Sequence, residues 1–169
     1  MHEVGEKIMY GANGLMEIVD VREETVADEP RKYYILRSLK AKSASETYVP
    51  VDNKSLVDSM RPLLTRAEID ALLMKAKENS LCGVEWHNDN RTRNEQFRKI
   101  IESGDREGTI ALIKAVYENG IKRHSEGKKN FLSDENIMRK AERLIIEEFS
   151  EVLGIPEDAV GDYVKRAVE

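Results

Sequence analysis

Two hydrophobic periods divide the chain. Up to about residue 52, β-branched and aromatic residues cluster in short runs between breakers, which is the pattern of strands. The runs Lys7-Ile8-Met9-Tyr10, Leu15 to about Glu24, Lys32-Tyr33-Tyr34-Ile35-Leu36-Arg37 and Thr47-Tyr48-Val49-Pro50-Val51 predict four of them. Gly11-Ala12-Asn13-Gly14 and Ala27-Asp28-Glu29-Pro30 supply turn chemistry between them. Pro50 cannot donate to a ladder, so the fourth strand lies at an edge or ends there.

From Thr65 onward the period is that of helices. Thr65-Arg66-Ala67-Glu68 reads as a capping box, followed by Ile69, Leu72, Leu73 and Ala76 on one face. Phe97, Ile100 and Ile101 form a shorter stripe that stops at Gly104. Asp105 caps a run with Ile110, Ile113, Val116 and Tyr117 on one side. Ser133 opens the longest helix, with Ile137, Ala141, Leu144, Ile145, Phe149 and Val152 inward and Gly154 at its end; Pro156 opens a last helix carrying Val160, Tyr163, Val164 and Ala167. The segment from Asp52 to Pro62 has neither period and reads as a linker. The expected architecture is α+β: a small Tudor-like or SH3-like β-barrel over residues 1–55, then a bundle of about five helices over 62–169.

Composition narrows the function classes. In 169 residues, 40% are hydrophobic and 35% charged, and no apolar run approaches the ~20 residues of a membrane span. The acidic start, Met1-His2-Glu3-Val4-Gly5-Glu6, does not resemble a secretory signal, so a cytoplasmic protein is expected. One cysteine, Cys82, and three scattered histidines supply neither a disulfide nor a metal-ligand spacing, so no metal or cofactor is expected. Phosphate loops, GxSxG elbows and HExxH pairs are absent, and Glu142, Glu147 and Glu148 lack the Glu-x-x-His spacing of a di-iron bundle. No catalytic residues are assigned, and a non-enzymatic protein is expected. A thiol enzyme built on Cys82 with His87 is the enzymatic alternative.

Charge is unevenly spread. The chain is −5 overall, yet residues 91–130 hold ten Lys/Arg against six Asp/Glu, a net of +4. Taken alone, such a run is most simply a set of solvated helix faces. Trp86, the sole tryptophan, lies in the polar, period-free stretch 82–90 just before it. A loop indole either plugs a core or, on a basic face, offers a flat apolar surface that stacks on a base or wedges into a minor groove. The pattern of residues leaves both open.

Several segments together carry a resemblance. Val4-Gly5-Glu6-Lys7-Ile8-Met9-Tyr10-Gly11, the turn ending at Gly14, Tyr33-Tyr34-Ile35-Leu36 and Tyr48-Val49-Pro50-Val51-Asp52-Asn53 resemble the CarD/CdnL family of bacterial transcription regulators. Trp86, Ile101-Glu102-Ser103-Gly104-Asp105 and Met138-Arg139-Lys140-Ala141-Glu142-Arg143-Leu144 extend the likeness through the second half. The resemblance implies a Tudor-like domain that docks on the RNA polymerase β subunit, through an edge including Arg22, Tyr48, Val49 and Pro50. It implies a helical domain at promoter DNA, at the upstream edge of the transcription bubble. There Trp86 wedges into the minor groove and stabilises the open complex, with phosphate contacts from Arg91, Arg93, Lys122, Arg123, Lys128 and Lys129. The expected protein is a monomer that hydrolyses no nucleotide. Tyr48 stands where some members carry an arginine, so its contact would be apolar or hydroxyl-mediated, and acidic Glu85 and Asp89, which flank Trp86, motivate an alternative. The alternative is a polymerase-binding adaptor whose helices meet another protein and not DNA.

Overall fold

The computed structural model describes residues 1–40, 42 and 45–169. The chain forms two compact units, Met1–Leu63 and Leu64–Glu169. The first holds strands β1 (Lys7–Tyr10), β2 (Leu15–Val26), β3 (Glu29–Ser38) and β4 (Glu46–Pro50), helix α1 (Lys54–Asp58) and strand β5 (Met60–Pro62). All pair antiparallel in the order β4-β3-β2-β1-β5. The segment read from sequence as linker is therefore part of this unit. Asn53 caps α1 by accepting from the Leu56 N–H, and Met60 pairs with Tyr10. A three-residue strand and a five-residue helix are too short to show a period, which is why the pattern missed them.

A register shift between Ile18 and Asp20 marks a bulge in the long β2. Such a bulge bends a strand and increases its twist. Ile8, Tyr10, Met16, Ile18, Tyr34, Leu36, Val49 and Met60, drawn from all five strands, meet in one buried cluster, so the sheet is rolled around a single core. Ala27 and Asp28 turn the β2–β3 hairpin with φ of 52° and 64°, the left-handed values a two-residue hairpin turn demands. Tyr48 points outward from β4 while its neighbour Val49 is fully buried, the alternation of a half-buried strand.

The second unit holds α2 (Arg66–Lys77), α3 (Asn90–Ser103), α4 (Arg106–Ser125), α5 (Leu132–Leu153) and α6 (Glu157–Val168). The Thr65/Glu68 capping box is present, Asp89 and Asp105 cap α3 and α4, and Gly104 ends α3 in the left-handed conformation at φ 71°. Ile69, Leu73, Ile145, Phe149, Leu153 and Val160 form a core from α2, α5 and α6. Arg106 holds the buried Glu148 with two bonds of 2.8 and 3.1 Å, and Glu148 also accepts from the Leu64 N–H, pinning the start of the unit to α5.

Two helical expectations change. Of the expected α4 stripe, Val116 is buried and Ile110 and Ile113 pack partly buried against the core, whereas Tyr117 is 63% exposed; Gly108, Thr109, Ala111, Leu112 and Gly120 join the buried face. Gly108 and Gly120, with no side chain, sit among these apolar residues on the buried face. Helix α5 begins at Leu132, with Phe131 at the N-cap and no side-chain cap; Ser133 is already inside.

Candidate nucleic-acid and polymerase interfaces

The segment 80–89 between α2 and α3 has no ladder to hold it. It is fixed by side chains. Cys82 donates its N–H to Glu107 at 2.9 Å, and Lys75 reaches the same carboxylate at 3.1 Å. These bonds, the Cys82 N–H foremost, hold the Glu107 carboxyl below its ordinary range. Cys82 is exposed, and its bond to Glu107 is made by the backbone N–H. Asp89 accepts from the hydroxyl of Thr92 at 2.6 Å and its N–H at 2.8 Å, which depresses its pKa and ties its charge to the start of α3.

Trp86 is half-buried. The Arg93 guanidinium lies over its ring, 4.5 Å from the centroid, and the Phe97 ring is tilted against it at 6.2 Å. Arg93 also lies over Phe131 at 5.2 Å, and Arg123 lies over the same Phe131 at 4.0 Å. The Arg123 Nε–H donates to the Lys129 carbonyl at 2.8 Å, and the Lys128 N–H donates to the Arg123 carbonyl at 2.8 Å. Trp86, the start of α3, the end of α4 and the α4–α5 loop are therefore brought together through Arg93, Phe131 and Arg123. Lys122, Lys128 and Lys129 are exposed there, as is Arg91 in the first turn of α3. Lys122, Arg123 and His124 occupy the last turn of α4, where cations suit the helix dipole.

Arg93 departs from the phosphate contact that the resemblance implied for it. It is 0% exposed and paired with Asp134 at 2.9 Å, so its guanidinium is not free for a phosphate. Asp134 and Phe131 were not singled out from the sequence. An acid in the first turn of a helix reads as a dipole residue, and only the fold reveals that this one faces Arg93.

In the first unit, β4 is an edge strand, with β3 as its partner. Tyr48 is 44% exposed; the Tyr33 ring meets it edge-on at 6.0 Å, and the Arg22 guanidinium lies 5.7 Å from its centroid. Glu46 accepts from Arg37 at 2.9 Å, from Arg22 at 3.2 Å and from the Tyr48 hydroxyl at 3.3 Å. These bonds, Arg37's first, hold its carboxyl below the usual range. Val49 is a second correction: its side chain is fully buried in the core, leaving only its backbone on the edge. Pro50 is half-buried.

A rolled five-stranded sheet with one outward aromatic edge, followed by a helical unit, is a Tudor-like interaction module carried with a second domain. Residues 2–64 match the family described as CarD-like/TRCF RID domain, and the match ends one residue past the first unit. The match lies over the N-terminal unit and is consistent with a CarD/CdnL-like protein; the helical unit lies outside it. No curated protein matches the chain. No helix among the described residues is long and apolar enough to cross a membrane.

Proposed function

We propose that this protein is a non-enzymatic transcription regulator that docks on the RNA polymerase β subunit through the β4 edge and stabilises the promoter open complex. Tyr48 and Arg22 present the docking chemistry, with the Pro50 ring and the β4 backbone beside them. The helical unit contacts DNA at the upstream edge of the bubble, where Trp86 acts as an apolar wedge. Arg91, Lys122, Arg123, Lys128 and Lys129 meet phosphates. The observation that carries this reading is the joining of a polymerase-interaction domain to a unit in which a half-exposed indole is framed by basic residues from three separate segments. A protein of net charge −5 needs few phosphate contacts when a larger partner holds it beside DNA. A stabilisation of the open state by ~1.4 kcal/mol shifts its equilibrium about tenfold.

The test is the lifetime of competitor-challenged open complexes formed by the cognate polymerase. Wild type is expected to extend it, Trp86→Ala to lose the extension while still binding β, and Tyr48→Glu to lose both. A Trp86→Ala protein as active as wild type would overturn the wedge.

A second reading, an adaptor that presents its helices to another protein, is favoured by Tyr117 and Ile121 on α4, which are 63% and 56% exposed. It predicts no DNA footprint upstream of the bubble and a loss of function on Tyr117→Ser/Ile121→Ser, with Trp86→Ala silent.

A further inference from the structure

Five hydrogens on Arg93 can donate, and five acceptor contacts surround it. Nε bonds Asp134 Oδ1 at 3.0 Å; Nη2 bonds Asp134 Oδ2 at 2.9 Å and Asn90 Oδ1 at 2.6 Å; Nη1 reaches the carbonyls of His87 at 2.7 Å and Asn88 at 3.5 Å. With the in-plane donors occupied, only the flat faces of the guanidinium remain for packing, and Trp86 and Phe131 are the rings it lies over. The group is fully buried. Burying a charge in this way is a poor route to stability, since well-packed apolar residues of the same volume do as well or better. What a planar fork does better than an aliphatic side chain is fix orientation, because it is locked in plane by bidentate bonds and presents a rigid face.

We propose that Arg93, clamped by Asp134, is a positioning residue for Trp86: it holds the indole of an otherwise unladdered segment in one orientation, half out of the core, and ties it to the Phe131–Arg123 side of the basic face. The inference rests on the reading of Trp86 as the DNA wedge. A plug needs only apolar cover, whereas Trp86 sits on a guanidinium whose donors also grip the backbone just after it, at the His87 and Asn88 carbonyls. Phe131 backs the same guanidinium and carries Arg123, so one stack sets the wedge and the phosphate contacts together. Preorganisation of this kind lowers the ordering cost at the moment of binding.

Because Trp86 is the only tryptophan, its fluorescence reports on the stack without interference. The full-length protein is compared as wild type, Arg93→Lys, Phe131→Leu and Phe131→Tyr, each checked by far-ultraviolet circular dichroism. Arg93→Lys and Phe131→Leu are expected to raise acrylamide quenching of Trp86 and lower its anisotropy, and Phe131→Tyr to restore both. In the open-complex assay, Phe131→Leu is expected to cut the lifetime extension about fivefold, the scale of one lost cation–π contact. Unchanged quenching and anisotropy in folded Phe131→Leu protein overturn the proposal. Should Arg93→Lys fail to fold, the half-buried Phe131 variants decide the matter. Should Trp86→Ala itself keep the full lifetime, the wedge reading falls, and the quenching comparison alone rules for or against positioning.

Discussion

Removing the carboxylate of Asp134 leaves the Arg93 guanidinium buried with no counter-charge. Asp134→Ala is therefore expected to lower the unfolding free energy by ~3–5 kcal/mol, measured by urea titration. Replacing both partners at once, Arg93→Met with Asp134→Leu, is expected to recover most of that loss, because the penalty lies in the unpaired charge and not in the missing bond. Glu148 is a comparable case, fully enclosed and bridged by Arg106 with the Leu64 N–H as a third donor. Both acids sit on α5, one near its start and one near its end, and both satisfy groups that arrive from other segments.

Helix α4 shows how close packing overrides propensity. In an open helix, Gly108→Ala is worth up to ~1 kcal/mol of added stability. Here a Cβ at Gly108 meets the carboxylate of its own cap, Asp105, and lies 2.9 Å from Ile100 Cγ2. The substitution is expected to destabilise by ~1–3 kcal/mol, read as a lower unfolding midpoint at unchanged m-value. Glu107 in the first turn of α4 makes a pH-dependent contribution. Its pKa is lowered from 4.5, chiefly by the Cys82 N–H and then by Lys75. The folded state thus binds fewer protons than the unfolded chain over that range. Stability from this group is complete above the unfolded value and is lost as pH falls through the lower folded one. Glu107→Gln is expected to reduce Tm near neutral pH, and the difference from wild type to close in acid below the carboxylate range, seen by calorimetry across a pH series.

Each of the two units carries its own core, and each bears a different kind of surface. The first presents a self-paired cluster in which Glu46 gathers Arg22, Arg37 and Tyr48. In the second, the +4 segment 91–130 frames Trp86 in a chain that is −5 overall. Binding to free DNA is therefore expected to be weak and steeply salt-dependent. Lys128→Glu with Lys129→Glu is expected to abolish the extension of open-complex lifetime without loss of polymerase binding. In a filter-binding series on free DNA, it flattens the slope of log affinity against log salt by about 1.8, two phosphate contacts at ~0.9 each. An unchanged slope removes these lysines from the interface.

Local chemistry was enough to read the periods and their punctuation. Alternation and breakers marked β1 to β4, and Pro50 marked β4 as terminal or edge, because a missing N–H has the same consequence in any sheet. Thr65, Asp105, Gly104 and Gly154 marked helix ends, because caps and left-handed glycines act within a turn. Trp86 and the basic run were equally visible, since net charge and a lone indole need no fold to be counted. Tertiary structure alone decided which charges were free. Arg91 and Arg93 are two residues apart and alike in sequence, yet one is exposed and the other is fully enclosed by Asp134, 41 residues away. The short α1 and β5, the exposure of Tyr117 on α4 and the start of α5 at Leu132 were decided in the same way. In each, a contact between distant segments outweighs a preference that is worth less than ~1 kcal/mol per residue when it acts alone.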